Sequence, residues 1–325
     1  MQLEHLTWFA TAAFGLEGIV AAELKRLDVK DVRAEIGGAR FVGSPADAFR
    51  ACLWLRSADR VLLILDEKDV RTFEDLFQLV SSIPFEEFLP RNAALPVTGK
   101  CARSQLMSVR DCQSITKKAI VERLRHAWRA DTLPETGVSY PFDVSLHENL
   151  ARITLDMSGD ALNRRGYRTW NGEAPMRETL AASLLEISPW RPGLALHDPC
   201  CGTGTILIEA AFKQARRAPG LLRSFAMEDY SFFSHEEADA LRGAAKEQYD
   251  PERIHDVSGS DIAAEPLVLA KRHIVQAQLG GRITVTQQPL ETLQLSTEQG
   301  VFIANPPYGE RLSDRKTCEK LYAEL

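Results

Sequence analysis

The sequence, 325 residues long, has no apolar run that approaches the length of a membrane-spanning helix. Such a helix needs about 20 consecutive, predominantly apolar residues. The start of the chain also lacks the basic segment of a secretory signal peptide: it carries Glu4 and His5, and Glu17 and Glu23 interrupt the apolar residues that follow. These absences predict a soluble, cytoplasmic protein without a membrane partner.

Cysteine is scarce, and its spacing is not that of a metal site. The six cysteines form no CxxC pair, and no histidine stands at metal-ligand spacing from them. Adjacent Cys200 and Cys201 cannot readily bridge each other without strain. The cysteines are therefore interpreted as small apolar residues in a reducing compartment, and no metal is expected.

Positive charge is not in excess over the whole chain, but it is concentrated locally. A formal net charge of −6 argues against a protein that coats nucleic acid by bulk electrostatics. Residues 100–129 nevertheless hold eight Lys or Arg against two acidic residues, and shorter basic runs occupy 162–168 and 216–223. Taken alone, the first run fits a solvated helix face as well as a binding surface.

The order of predicted elements suggests three domains and a linker. Short strands and helices alternate over residues 1–65, including one strand predicted over 32–43, and the mixture repeats over 66–160. The polar residues 161–178, with two Gly and a Pro, are predicted to be a linker. Residues 179–325 then follow the strand, glycine turn and helix order of a doubly wound α/β domain, with four parallel strands expected.

The sequence DPCCGTG (198–204) is typical of a nucleotide-binding loop, and several kinds must be separated. A phosphate-binding P-loop needs a lysine that is absent here, and a dinucleotide fingerprint needs a third glycine where Leu207 stands. The remaining interpretation is the loop that holds S-adenosylmethionine, in which Gly202 and Gly204 let the backbone approach the ligand and Asp198 meets its cationic amino-acid end. A plain tight turn is the alternative.

Two further motifs are predicted to reach the same edge of the sheet. The strand HDVSGSD ends in Asp261, which can accept hydrogen bonds from both hydroxyls of a ribose; alternatively, Asp261 caps the helix that follows. A strand at 301–304 ends in Asn305-Pro306-Pro307-Tyr308. Because ligands of open α/β sheets bind beyond the carboxyl ends of the strands, all three motifs are expected at one site.

The residues Asn305 to Tyr308 fit the methylation of a base amino group. Such an amine is a poor nucleophile because its lone pair is delocalised into the ring. The side-chain oxygen of Asn305 and the carbonyl of Pro306 can accept its hydrogens and align the nitrogen for attack, and Tyr308 can stack on the base. Two successive prolines also close a strand without further purpose, which is the alternative interpretation.

At this point the sequence resembles a known family. The segments FGLE (14–17), RRGYR (164–168), GEAPMRETLAASLL (172–185), DPCCGTGTILIEAA (198–211) and RAPGLLRSFAMEDY (217–230) resemble the THUMP-domain RNA methyltransferases. The likeness is greatest to the bacterial enzymes that form N2-methylguanosine in large-subunit ribosomal RNA, and it covers essentially the whole chain.

The resemblance implies an α/β fold in three parts: an N-terminal ferredoxin-like domain, a THUMP domain that grips RNA, and a C-terminal Rossmann-like catalytic domain. It implies S-adenosylmethionine as cofactor and RNA as partner. The cofactor residues that it implies are Thr179, Asp198, Cys200, Gly202, Gly204, Thr205, Asp261, Ile262 and Gln288. The RNA-binding residues that it implies are Lys100, Arg103, Lys117, Lys118, Arg164, Arg165 and Arg168.

The sequence departs from the family pattern in two places. Near the end of the third strand, where an acid commonly binds the adenine amino group, Gln288 and Glu291 are both candidates. The chain also ends at CEKLYAEL, in what is predicted to be the helix after the fourth strand. A seven-stranded sheet would need three more strands, so a truncated catalytic domain is expected.

Four functions stay open at this level. The first is methylation of guanine N2 in ribosomal RNA. Within the same class, guanine N2 of transfer RNA and adenine N6 are alternatives. A protein of another class, which binds RNA but carries an incomplete and inactive catalytic domain, is the fourth.

Overall fold

The computed structural model describes residues 5–168, 176–293 and 299–306 and divides into two compact units. The first unit contains Met1–Leu162 together with Ser224–Arg242. The second contains Asn163–Arg223 and Gly243–Leu325. Among the described residues, no helix has both the length and the apolar character required to cross a membrane.

The first unit is built on one seven-stranded sheet with strand order β2-β3-β1-β4-β7-β6-β5. All neighbouring strands are antiparallel except β5 and β6, which are parallel. The strands are β1 (Leu6–Thr11), β2 (Lys30–Glu35), β3 (Gly38–Gly43), β4 (Arg60–Asp69), β5 (Val97–Ala102), β6 (Phe142–His147) and β7 (Leu150–Asp156).

The single strand predicted over residues 32–43 is wrong, because the structure has a hairpin there. Strand β2 pairs antiparallel with β3, and Glu35 lies opposite Gly38, so Ile36 and Gly37 form the turn. Gly37 has φ +82°, a left-handed conformation that glycine adopts without steric cost. The boundary predicted between residues 65 and 66 lies inside β4, which belongs to the continuous sheet.

Within the described residues up to Leu162, four α-helices accompany this sheet, and the sequence marks where several of them begin. They are α1 (Glu17–Arg26), α2 (Pro45–Trp54), α3 (Phe73–Ser82) and α4 (Val109–Trp128). Ser44 and Thr72 each form a capping box with an aspartate three residues later, and Ser108 caps α4. These side chains satisfy backbone N–H groups that have no partner within the helix.

The second unit contains a four-stranded parallel sheet with strand order β10-β9-β8-β11, which confirms the four predicted parallel strands. The strands are β8 (Ala195–Asp198), β9 (Val257–Asp261), β10 (Thr284–Gln287) and β11 (Gly300–Phe302). The helices are α5 (Glu178–Ile187), α6 (Thr205–Gln214) and α8 (Ala264–Gln276). Helix α6 is buried along almost its whole length, which agrees with its apolar sequence ILIEAAF.

The segment Ser224–Arg242 leaves the second unit and packs within the first. It contains a short 3₁₀ helix (Ala226–Asp229) and the start of α7 (His235–Glu247), in which the division between the units falls. Two of its buried aromatic side chains pack on Phe49: the Phe225 ring meets Phe49 edge-on at 5.5 Å, and the Phe233 ring stacks on Phe49 at 5.1 Å. The core of the first unit is therefore completed by residues that follow it in the sequence.

Candidate cofactor and active site

The carboxyl ends of all four parallel strands of the second unit lie at one edge of its sheet. In the strand register, Asp198 at the end of β8 lies opposite Gly259, and Asp261 at the end of β9 lies opposite Gln287. The backbone N–H of Ile303, just after β11, donates to the carbonyl of His197. The structure thus puts the glycine loop, Asp261 and the start of the Asn305 motif at the edge where the sequence predicts them.

The loop between β8 and α6 has an unusual backbone that its two glycines permit. Gly202 has φ +52° and Gly204 has φ +80°. A side chain at Gly202 would meet no atom within 4 Å, whereas one at Gly204 would press on Ala270 at 3.3 Å. The backbone at Gly202 consequently faces open space, where a ligand can approach it closely.

Asp198 is a buried carboxylate, 2% exposed, at the base of this loop. Its Oδ1 accepts the backbone N–H of Cys200 at 3.0 Å, and no cationic side chain of the described ranges pairs with it. Burial, together with the nearby charge of Asp261, raises the pKa of Asp198 to about 7. A buried carboxylate that lacks a cation suits a ligand that brings a positive charge, such as an ammonium group.

This pKa predicts that the affinity for S-adenosylhomocysteine, which carries the same ammonium group as S-adenosylmethionine, rises with pH. At about pH 6, roughly one Asp198 in ten is ionised, so the Kd should be about tenfold higher than at about pH 8. Calorimetry across this range measures the effect. The Asp198→Asn variant should bind weakly at every pH, and a steep profile that persists in this variant would contradict the assignment.

Asp198 should also affect stability, with a sign fixed by its raised pKa. The protonated form is favoured in the folded state, so the contribution of this group to stability decreases as pH rises from about 4 to about 7. Asp198→Asn removes this loss. The variant should therefore unfold at a higher temperature than the parent chain at about pH 8, and at a similar temperature at about pH 4.

Asp261 connects the glycine loop to the second strand. Its Oδ2 accepts the N–H of Gly202 at 2.9 Å, and its Oδ1 accepts the N–H of Ala263 at 2.9 Å. Helix α8 starts at Ala264, with Ala263 as its N-cap residue, so Asp261 is not the N-cap that the alternative interpretation required. Each carboxylate oxygen keeps a further lone pair, which leaves room for the predicted ribose hydroxyls.

The residues after Asp261 offer a surface on which a flat ring could pack. Ile262 is an apolar side chain with 72% of its surface exposed. Gln287, which the sequence analysis did not single out, donates its side-chain N–H to the Ile262 carbonyl at 3.1 Å. The side-chain amide of Gln288 donates to the Thr292 carbonyl, and Glu291 is exposed, so both candidates for the adenine amino group stay open.

Three other predicted cofactor residues lie around the loop. Cys200 is half-buried and gives its backbone N–H to Asp198, and burial raises the pKa of its thiol to about 11. Thr205, 5% exposed, is the first residue of α6. Thr179 is equally buried in the first turn of α5, where its carbonyl accepts from Ser183. Their contacts with a cofactor stay predictions.

Two residues of the predicted catalytic motif are described, and both lie beyond β11. Asn305 and Pro306 are half-buried. Pro307 and Tyr308 lie outside the described residues. His197, which the sequence analysis missed, supports this edge: its two ring nitrogens lie 2.9 Å from Ser258 Oγ and 3.1 Å from Ser260 Oγ. Burial lowers the pKa of His197, which favours the neutral ring. The signal available in the sequence was the position of His197, a polar residue next to Asp198 at the end of the apolar strand β8.

The predicted RNA-binding residues divide into exposed and buried groups. In the first unit, Lys100 is exposed. Arg103 and Lys118 are also largely exposed, and each has an acidic side chain 3.7 Å away, Glu148 and Glu122 respectively. Lys117 is half-buried and donates to the Leu95 carbonyl and to Glu135. These side chains can reach a phosphate backbone, Lys117 least easily.

Two of the three predicted RNA-binding arginines of the second unit are buried, which contradicts that prediction for them. Arg164 is exposed. The Arg165 side chain is 2% exposed and pairs with Glu209, and the Arg168 side chain is 10% exposed and pairs with Glu178. A basic run does not show whether its charges meet solvent or acids that lie far away in the sequence.

Three family models match the chain in the order that the resemblance implies. The ferredoxin-like domain of RlmL matches residues 7–62, the THUMP domain matches 70–156, and the RMKL-like methyltransferase domain matches 165–325. The fold therefore combines ferredoxin-like, THUMP and Rossmann-like methyltransferase domains.

Similar proteins extend over nearly the whole chain. "Putative RNA methyltransferase YpsC" of Bacillus subtilis is 38% identical over 99% of this chain and 84% of its own length. "Ribosomal RNA large subunit methyltransferase K/L" of Magnetococcus marinus is 34% identical over 98% of this chain but only 46% of its own length. The chain thus spans about half the length of the K/L relatives that it matches.

A solved structure adds the cofactor. "SMU.472, a putative methyltransferase complexed with SAH" superimposes with a TM-score of 0.93 at 37% identity, covering 99% of this chain and 85% of the other. The glycine loop, the buried Asp198 and Asp261 fit such a ligand. The chain belongs to the THUMP-domain RNA methyltransferases, and its cofactor is S-adenosylmethionine.

Proposed function

We propose that the protein methylates the exocyclic N2 of a guanine in large-subunit ribosomal RNA and acts in the cytoplasm. The observation that supports the base amino group most directly is the position of Asn305 and Pro306, immediately beyond β11 at the edge that holds the cofactor loop. The K/L relatives support ribosomal RNA. This chain covers about half the length of those relatives.

The proposed reaction is a direct displacement. The cofactor supplies a methyl group on a cationic sulfur, which an amine can take up in one step. The side-chain oxygen of Asn305 and the Pro306 carbonyl accept the two N–H hydrogens and hold the lone pair of the nitrogen toward the methyl carbon. The N–C bond forms as the C–S bond breaks with its electron pair on sulfur, and one amine proton leaves to water.

The residues of the first unit would hold the RNA. Lys100, Arg103 and Lys118 lie on and around β5 and α4 with exposed charges. Contacts of this kind bind phosphates without reading sequence, and their strength decreases with salt. The choice of nucleotide would accordingly come from the RNA structure and from the catalytic edge rather than from this surface.

Methyl transfer to defined RNAs tests the proposal. The full chain is incubated with methyl-labelled S-adenosylmethionine and with large-subunit ribosomal RNA or transfer RNA that lacks base methylation, and the RNA is digested to nucleosides. We expect label in N2-methylguanosine from ribosomal RNA. Label in transfer RNA alone would show that transfer RNA, and not ribosomal RNA, is the substrate. Label in N6-methyladenosine would show that the methylated base is adenine and not guanine.

An inactive catalytic domain is the competing function, and the same samples distinguish it. A chain that binds RNA and S-adenosylhomocysteine but transfers no label to either RNA would support an RNA-binding role. Cofactor binding is measured separately by calorimetry, so a failure of binding and a failure of transfer give different results.

A further inference from the structure

Arg168 contacts the first residue of α6, directly after the cofactor loop, and joins three parts of the second unit. Its Nη1 donates to the Glu178 carboxylate at 3.1 Å and to the Met176 carbonyl at 3.2 Å. Its Nη2 donates to Thr205 Oγ1 at 2.5 Å. The Glu178 side chain is 3% exposed, and its other oxygen accepts from Asn163 at 3.4 Å. The guanidinium thus has acceptors on α5, on α6 and on the segment before α5.

The contact with Thr205 falls where the cofactor loop ends. Thr205 is the first residue of α6 and follows Gly204, whose left-handed conformation ends the loop. Near its other end, the loop is held by Asp261, which accepts the Gly202 N–H, and by the hydrogen bond from Cys201 N–H to the Ser260 carbonyl. The loop is consequently fixed to β9 at one end and to the Arg168 cluster at the other.

The polarity of this contact also sets what the Thr205 hydroxyl can do. A guanidinium can only donate, so Thr205 Oγ1 is the acceptor in the pair. The hydroxyl keeps its own proton, which it can donate to a different acceptor. In the proposal below that acceptor is an oxygen of the bound cofactor, and Arg168 fixes the direction in which Thr205 donates.

We propose that Arg168 is a positioning residue that fixes Thr205 and the end of the glycine loop for cofactor binding. The proposal concerns the S-adenosylmethionine site and does not depend on which base is methylated. A lysine cannot replace the arginine fully, because a single ammonium group cannot meet three acceptors with the planar geometry of a guanidinium.

The same two helices carry a matched control at their other ends. Lys213 in the last turn of α6 pairs with Glu186 near the end of α5 at 2.9 Å, with side chains 15% and 14% exposed. This pair joins α5 to α6 with comparable burial but lies at the opposite end of α6 from the cofactor loop. Lys213→Met therefore reports what the loss of an ion pair between these helices does to stability alone.

Calorimetry with S-adenosylhomocysteine, without RNA, tests the proposal. Arg168→Met should raise the Kd about tenfold or more, and Arg168→Lys should give an intermediate value. Lys213→Met should lower the unfolding temperature but leave the Kd unchanged. With RNA present, Arg168→Met should raise the KM for S-adenosylmethionine more than it lowers kcat. Should Arg168→Met fail to fold, Arg168→Lys supports the same comparison.

A double-mutant cycle separates action through Thr205 from a general effect. In a Thr205→Val background, the substitution Arg168→Met should have little further effect on the Kd, because the hydroxyl that it positions is already gone. Full additivity of the two substitutions would overturn the proposal. The proposal would also be overturned if Arg168→Met and Lys213→Met had the same Kd for S-adenosylhomocysteine.

Discussion

Replacing Tyr230 with alanine is expected to lower the free energy of unfolding of the first unit by about 3–5 kcal/mol. Tyr230 lies in the segment that returns from the second unit, and it is 2% exposed. Its ring stacks on Tyr140 with centroids 4.4 Å apart and planes 16° apart, and its hydroxyl donates to the Asp156 carbonyl at 2.5 Å. The substitution removes a large buried ring and leaves a buried carbonyl without this donor.

Denaturant unfolding of the full chain measures this effect, with two controls. Tyr230→Phe removes only the hydroxyl and should cost about 1–3 kcal/mol. Phe73→Ala, which shortens a side chain that is 38% exposed, should cost less than about 1 kcal/mol. S-adenosylhomocysteine binding reports on the second unit and should survive under native conditions. If Tyr230→Ala cost no more than Phe73→Ala, the segment would not be part of the core of the first unit.

This segment shows what a sequence can and cannot predict about the fold. The sequence RAPGLLRSFAMEDY was recognisable only as a family feature, because nothing in its local pattern shows that Tyr230 packs against Tyr140, 90 residues earlier. The strands and most helices were predictable, since their apolar periodicity is local. The hairpin around Gly37 was missed because a run of alternating residues continues on both sides of the turn.

The candidate site was more predictable than its surroundings. Asp198 and Asp261 are the last residues of strands, and the two glycines follow the first of these strands. The carboxyl ends of parallel strands meet at one edge whatever the rest of the fold does. The partners of Arg165 and Arg168 were not predictable, because Glu209 and Glu178 face them only once α5 and α6 have packed. Burial raises the pKa of Asp198, and it too depends on that packing.

Replacing Asn305 with alanine is expected to lower kcat for methyl transfer by about 10²–10³ and to leave the Kd for S-adenosylhomocysteine nearly unchanged. Asn305 lies beyond β11, whereas the described residues that contact the glycine loop include Asp198 of β8, Asp261 of β9 and His273 of α8. Its proposed task is to accept an N–H of the base amine, an interaction that strengthens as the nitrogen becomes pyramidal. A contact that strengthens only in the transition state changes kcat rather than cofactor binding.

Two substitutions of similar shape test whether the Asn305 side chain acts by accepting a hydrogen bond. Asn305→Asp keeps an oxygen acceptor but loses the N–H donors, so it should retain more activity than Asn305→Leu, which loses both. If the side chain acted by donating, Asn305→Asp would be as inactive as Asn305→Leu. Single-turnover rates with bound cofactor and saturating RNA make this comparison free of product release. A rate for Asn305→Ala within about threefold of the parent chain would exclude the amide as the group that aligns the amine.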